Sequence, residues 1–239
     1  IAAVSKKTSA QTKTGEGSKA AENVHAAILI DRSGSMNGLA SDVIGGYNEF
    51  IENQGNLQAT GEFVLTAVQF DDDEPFKVIH DAAPLSSVPS MTSADYQPRG
   101  LTPLFDALGT LIKTIEKRAA ASIVPEDQIV VIFSDGLENA SNEWTREALF
   151  KLITEKENEG WTFNFMGANQ DSYETGRGLG FKHENTSNFR GDGRGTKAAF
   201  DGVNRAMSEY RLLTPSQKMS RKANFFNDIK EAEEDMRNR

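Results

Sequence analysis

Two apolar runs constrain this chain more than any other feature. Val24-His25-Ala26-Ala27-Ile28-Leu29-Ile30 has the look of a buried strand, and the unbroken Ile129-Val130-Val131-Ile132-Phe133 reads as a strand covered on both faces. Further strand patterns fall at 62–70, 76–80 and 161–167, with a sixth near 181–184, alongside the two that the runs define at 24–31 and 128–134. Helical periodicity occupies about 39–53, 104–121, 144–158, 170–179 and 196–211. Strands alternating with helices predict an α/β fold, a doubly wound and mostly parallel sheet with helices on both faces.

One segment departs from that alternation. Residues 62–70 and 76–80 are separated only by Asp71-Asp72-Asp73-Glu74-Pro75, too short for a crossover helix, so the second of them is expected as an antiparallel edge strand. The helix after Thr102 has a clear internal logic, with Pro103 in its first turn and Leu104, Leu108, Leu111, Ile112 and Ile115 at helical spacing. Trp144 and Trp161 flank the 144–158 pattern and are expected to pack it on the sheet, although an exposed Trp144 would instead be a partner contact.

The first apolar run ends in Asp31-Arg32-Ser33-Gly34-Ser35, which brings one carboxylate and two hydroxyls to the end of a strand. With no cysteine and three histidines in the chain, soft-metal chemistry has few ligands, whereas Mg²⁺ takes carboxylate, hydroxyl and water oxygens at about 2.1 Å. A divalent hard cation is therefore the first functional expectation. Two more segments share this strand-or-loop-to-polar architecture: Gly100-Leu101-Thr102-Pro103-Leu104-Phe105-Asp106-Ala107, and the second strand's end at Phe133-Ser134-Asp135-Gly136.

These three segments resemble the von Willebrand factor A domain family, whose metal-ion-dependent adhesion site combines a D-x-S-x-S loop, a distant threonine and a more distant aspartate. All five matching positions are present, as Asp31, Ser33, Ser35, Thr102 and Asp135. The settings match as well: Ser-Gly-Ser-Met, Thr-Pro-Leu-Phe-Asp-Ala and Ser-Asp-Gly-Leu-Glu-Asn, the last resembling bacterial members. The resemblance spans roughly residues 24 to 210.

It implies a Rossmann-like domain with Mg²⁺ (or Mn²⁺ or Ca²⁺) at the carboxyl ends of its strands, where ligand crevices form in open α/β sheets. Ser33 and Ser35 would ligate directly, while Asp31, Thr102 and Asp135 would bind directly or through water. The remaining coordination position would take a carboxylate from a protein partner. The implied function is metal-dependent protein binding without catalysis, as an adaptor in a larger assembly or as an extracellular adhesion domain.

Composition narrows the alternatives. A net charge of −9 and a pI near 5.0 give no basic footprint for nucleic acid or anionic membrane. No run approaches the roughly 18 to 20 apolar residues of a membrane span, so membrane insertion is not expected. The absence of cysteine fits a reducing compartment without requiring one, which favours a cytoplasmic adaptor over surface display. The expected organisation is a flexible arm at 1–22, the domain at 23–212 and a charged helical extension at 213–239, whose Phe225, Phe226 and Ile229 either pack back or dock on a partner.

Several motifs have blander readings. Asp31, Ser33 and Thr102 could be helix caps. The acidic run 71–74 reads as a solvated hairpin tip, and Arg190-Gly191-Asp192 as a chance tripeptide in a glycine-rich loop. His25, His80 and His183 show no paired metal spacing. An aspartate ending a first strand beside Mg²⁺ also opens haloacid-dehalogenase-type phosphatases, but the general acid expected two residues on is replaced by Ser33. No phosphate-binding G-x-x-x-x-G-K-[ST] string occurs. A module that has lost metal dependence would be expected to lack a ligand type, and none is missing.

Overall fold

The computed structural model describes residues 22–135, 138–168, 176–179, 181, 186–222 and 225. Six strands form one sheet: β1 (Asn23–Asp31), β2 (Phe63–Phe70), β3 (Lys77–Pro84), β4 (Glu126–Ser134), β5 (Thr162–Gly167) and β6 (Thr186–Asn188). Their order is β3-β2-β1-β4-β5-β6, with β3 antiparallel to β2 and every other pairing parallel. The fold class expected from sequence is thus present, including the antiparallel edge.

The apolar runs behave as two-sided strands. Ala26, Ile28 and Ile30 of β1 join Ile129, Val131 and Phe133 of β4 in one core layer, against α1 (Ala40–Asn56) and α4 (Gly193–Leu212). Ala27 and Leu29 join Val130 and Ile132 in the other, against α2 (Leu104–Ala121) and α3 (Arg146–Asn158). Alternate residues point to opposite faces of a strand, so burial on both faces requires the unbroken apolar run seen in sequence.

Close approaches at two glycines tighten the layers. A Cβ at Gly46 of α1 would lie 2.3 Å from the Phe200 ring, and one at Gly109 of α2 would lie 2.3 Å from the Trp144 indole. Phe200 in turn stacks on Phe133 with centroids 4.1 Å apart. Trp144 precedes α3 and is half-buried on α2, rather than lying in the helix as the 144–158 pattern suggested. The helix starts at Arg146 because the Thr145 hydroxyl accepts from the Ala148 N–H at 3.2 Å and caps it.

Other boundaries also move. β3 runs on to Pro84 past Ala82, whose φ of 44° accompanies the register shifts between β2 and β3. The last strand forms at Thr186–Asn188 rather than near 181–184; Phe181 is buried outside any strand, and 182–185 lie outside the described residues. Of the 170–179 helical pattern, 176–178 are helical and 170–175 lie outside the described residues, as does His183. α4 begins three residues earlier than its periodicity suggested, capped by Asp192, whose side chain accepts from Gly195 N–H at 2.9 Å.

Beyond α4, α5 (Pro215–Arg221) folds back onto the base of the sheet. Lys218 donates to the Glu22 carbonyl at 3.0 Å, Lys222 pairs with Asp127 at 2.7 Å, and the buried Phe225 ring packs 4.8 Å from Tyr210. Among the described residues no helix is long and apolar enough to cross a membrane.

Candidate functional site

The chain leaves β1 for β2 on one side and reaches β4 on the other, so the strand order reverses between β1 and β4. Loops diverge at such a point and leave a crevice at the strand ends. Asp31 is the last residue of β1 and Asp135 follows the last residue of β4, with Ile30 paired to Phe133. Register alone therefore brings both carboxylates to one spot.

Hydrogen bonds tie the spot together. Asp31 is fully buried; its Oδ1 accepts from the Ser33 N–H at 2.7 Å and its Oδ2 from the Ser134 hydroxyl at 2.5 Å. Ser33 and Ser35 face each other, Oγ to Oγ 3.1 Å, and the Ser35 hydroxyl donates to Asp135 Oδ1 at 2.7 Å. Tyr96, buried, donates its hydroxyl to the Asp31 carbonyl at 2.5 Å. Sequence reasoning missed Ser134 and Tyr96; Ser134 was visible in the Phe-Ser-Asp-Gly segment as the residue before the aspartate.

Thr102 reaches the same place through backbone. Gly34 N–H donates to the Gly100 carbonyl at 3.1 Å, which docks the 100–102 turn on the 31–35 loop. From the other side, Thr102 N–H donates to Asn139 Oδ1 at 2.8 Å and Asn139 N–H returns to the Thr102 carbonyl at 3.2 Å. Thr102 itself is buried. All five residues singled out in sequence, Asp31, Ser33, Ser35, Thr102 and Asp135, thus sit on three loops that are bonded to one another.

The helix-cap readings do not describe these residues. Ser33 precedes the 3-10 turn Gly34–Leu39 without a side-chain cap bond. α2 begins at Leu104 with Pro103 in the cap position, and its first N–H groups are taken by neighbours: Phe105 by Glu138 at 2.9 Å and Asp106 by Ser141 at 3.1 Å. Asp106 reciprocates, accepting from the N–H groups of Asn142, Glu143 and Trp144 at 2.7 to 2.9 Å. Glu138 and Asp106 lock the loop after β4 onto the start of α2, a role the Asp-Ala and Leu-Glu-Asn strings carried unread.

Electrostatics favour a cation here. Burial pushes the Asp31 carboxyl up to about 6, against hydrogen bonds from Ser134 and Ser33, and the nearby Asp135 charge adds to the rise. Burial likewise raises Asp135, against the Ser35 hydrogen bond. Among the described residues no three His, Cys, Asp or Glu side chains gather as a metal cluster, so the donor set here is two carboxylates supplemented by hydroxyls. That is hard-oxygen chemistry, and it fits Mg²⁺ or Mn²⁺ better than a soft metal. Ser33, Ser35 and Asp135 already converge, with hydrogen bonds of 3.1 and 2.7 Å linking their oxygens, so three of the candidate donors face one point.

Three other motifs resolve into structure. Asp71 of the acidic run is wholly buried, against the solvated-tip reading, while Asp72, Asp73 and Glu74 are exposed. Asp192 is spent on the α4 cap and on a 2.7 Å pair with Arg190, so the Arg-Gly-Asp string is a helix start. His25 is buried between Gln128 Oε1 at 2.7 Å and Thr66 Oγ1 at 2.8 Å, and burial followed by the Arg118 charge lowers its pKa to about 4.

No protein-family model matches the sequence, and no curated protein gives a significant match. Solved structures match in shape. A manganese-loaded TRAP protein of Plasmodium vivax superposes with TM-score 0.50 at 17% identity, over 74% of this chain and 71% of its own. The pilus adhesin SpaC of Lactobacillus rhamnosus GG gives 0.59 at 11% identity, over 82% of this chain and 32% of its own. Proximal thread matrix protein 1 of the mussel byssus, with a zinc-occupied MIDAS motif (metal-ion-dependent adhesion site), gives 0.53 at 15% identity, over 77% and 47%. The chain spans about a third of the adhesin and about half of the byssus protein. At these identities the likeness establishes the fold, which is of the von Willebrand A type.

Proposed function

We propose that this chain is a divalent-metal-dependent protein-binding domain, with Asp31, Ser33, Ser35, Thr102 and Asp135 holding Mg²⁺ in a site of the bacterial von Willebrand A kind. The observation that carries the reading is the linked set Asp31–Ser33–Ser35–Asp135 at the β1/β4 switch point, two carboxylates and two hydroxyls gathered at the strand ends. When bound, the cation supplies a Lewis-acidic position at the exposed end of the site that a partner's carboxylate can occupy.

The protein's own residues do the rest. Buried Asp31, anchored by Ser134 and by the Ser33 N–H, provides a fixed anionic floor. Ser35 is exposed and Asp135 only half-buried, so the open side of the site lies between them. Two carboxylates neutralise a divalent ion, which leaves it able to attract a third from a partner. Residues 23–212 are proposed as the binding domain, with 1–22 as an arm and 213–239 as an extension.

Binding is proposed rather than turnover, because the residues against Asp31 are hydroxyls and amides and Ser33 occupies the place of a phosphatase's general acid. Between an adaptor in an intracellular assembly and an adhesion domain outside the cell, the pilus adhesin and byssus protein that share the fold favour the second, while the cysteine-free sequence suits the first. Capture of partner proteins from native extract in Mg²⁺ and in EDTA tests the reading. The expected result is capture in Mg²⁺ only, abolished by Asp31→Ala; retention in EDTA would contradict it.

A further inference from the structure

The β2–β3 hairpin tip is tied to the candidate site by bonds that a solvated turn would not need. Asp71 Oδ1 accepts from the N–H groups of Asp73 and Glu74 at 2.9 and 2.7 Å, which folds the tip. Its Oδ2 accepts from Arg32 Nε at 2.7 Å and Arg99 Nε at 3.1 Å. Glu74 accepts from both guanidinium groups as well, at 2.8 and 3.0 Å. Arg32 lies between Asp31 and Ser33, and Arg99 immediately precedes the 100–102 turn. The two arginines also meet through backbone, Arg99 N–H to the Arg32 carbonyl at 2.8 Å, and Arg32 N–H donates to Phe70 at 2.9 Å.

The next residue completes the grip. Asp72 Oδ1 accepts from the Leu101 N–H at 2.7 Å and lies so close over Gly100 that a Cβ there would meet it at 1.8 Å. Gly100 has φ of +65°, a left-handed conformation that glycine adopts without strain. Thr102 is therefore held from two sides, by Asp72 through Leu101 and by Asn139 through its own N–H and carbonyl. Charge plays a part too: buried Arg32 stands beside the site, and Asp71 pairs its positive charge at 2.6 Å.

We infer that the hairpin tip is a positioning element of the metal site, in which Asp72 sets the reach of Thr102 and Asp71 fixes the 31–35 loop through Arg32. The inference rests on the metal-binding reading above. Asp72 touches no proposed ligand and its side chain is exposed, so it acts only through the turn it holds. Residues that orient metal ligands in this way typically change metal affinity by about 10- to 100-fold when removed.

The test is Mn²⁺ affinity by titration calorimetry for the wild-type chain, Asp72→Ala, Asp72→Asn and Asp73→Ala, with metal-free melting measured alongside. Asp72→Ala is expected to weaken Mn²⁺ at least about tenfold while melting near wild type. Asp72→Asn keeps an acceptor oxygen for Leu101 and is expected within about threefold of wild type, since the contribution is geometric. Asp73→Ala, which removes only a 3.4 Å surface pair with Arg99, is expected to be silent. Wild-type binding that Asp72→Ala leaves unchanged, or that Asp72→Asn loses as fully, overturns the positioning role alone. A wild-type chain that binds no Mn²⁺ overturns the metal reading and this inference with it.

Discussion

The Ser35 hydroxyl donates to Asp135 Oδ1 across 2.7 Å, joining two residues a hundred positions apart in the chain. Neither side chain would select the other in an unfolded polymer. Adjacent parallel strands bring them together, because β1 and β4 pair in register up to Ile30 and Phe133 and release their loops at the same level. The first consequence is local: Ser35→Ala leaves the sheet intact and removes one proposed ligand, so metal affinity is expected to fall while the metal-free melting temperature changes by less than about 2 °C. Circular dichroism melts with and without Mg²⁺ check both halves.

Asp106 binds three successive N–H groups of the loop that leads into α3. Asp106→Ala releases the exposed Asn142 and Glu143 N–H groups to water and leaves the part-buried Trp144 N–H without its carboxylate, so it is expected to cost about 1 to 2 kcal/mol, seen as a lower midpoint in urea unfolding. Asp106→Asn, which retains an acceptor, is expected to recover part of the loss.

Gly109→Ala would drive a methyl group into the Trp144 indole, with 2.3 Å to the nearest carbon. Overpacking of this kind costs about 1 to 3 kcal/mol. Trp144 fluorescence should report the displaced ring, and a variant with wild-type spectrum and stability would refute the close packing.

Acid should weaken the fold through His25. Its folded-state pKa of about 4 lies below the ordinary 6.5, so the neutral ring contributes stability that is complete above pH 6.5 and declines as pH falls toward 4. The neutral form is what the site accommodates: the ring is buried between Gln128 Oε1 and the Thr66 hydroxyl, and the Arg118 guanidinium stands 3.5 Å from Nδ1, so a second positive charge there is unfavourable. Between pH 7 and pH 4.5 the loss from this group is about 2 to 3 kcal/mol. His25→Gln is expected to be less stable at pH 7 and to lose less than wild type on acidification, as measured by urea unfolding at the two values.

Much of this was legible from residues 24–31 and 128–135. Apolar runs buried on both faces fix the central strands, and the short acidic link at 71–75 fixes an antiparallel edge, so those parts of the sheet followed from pattern alone. The weaker elements did not. β6 has three residues, too few for a periodic signal, and its place at 186–188 depends on pairing with β5. Side-chain bonds that cross the fold were also invisible, because Asp71 reaching Arg32 and Glu138 reaching Phe105 depend on tertiary proximity. An acidic run reads as solvated unless its buried partner is known.

Asp31 and Asp135, whose carboxyl pKa values burial raises, are proposed to be held for a divalent cation. The most direct measurement is the melting temperature in millimolar Mg²⁺ or Mn²⁺ against EDTA, for the wild-type chain and Asp31→Ala. Metal at about a hundred times its dissociation constant stabilises a folded chain by about 2.7 kcal/mol, which here corresponds to a rise of about 5 to 10 °C. That rise in the wild type and its absence in a folded Asp31→Ala variant is the predicted result; identical wild-type melting in metal and in EDTA would contradict it.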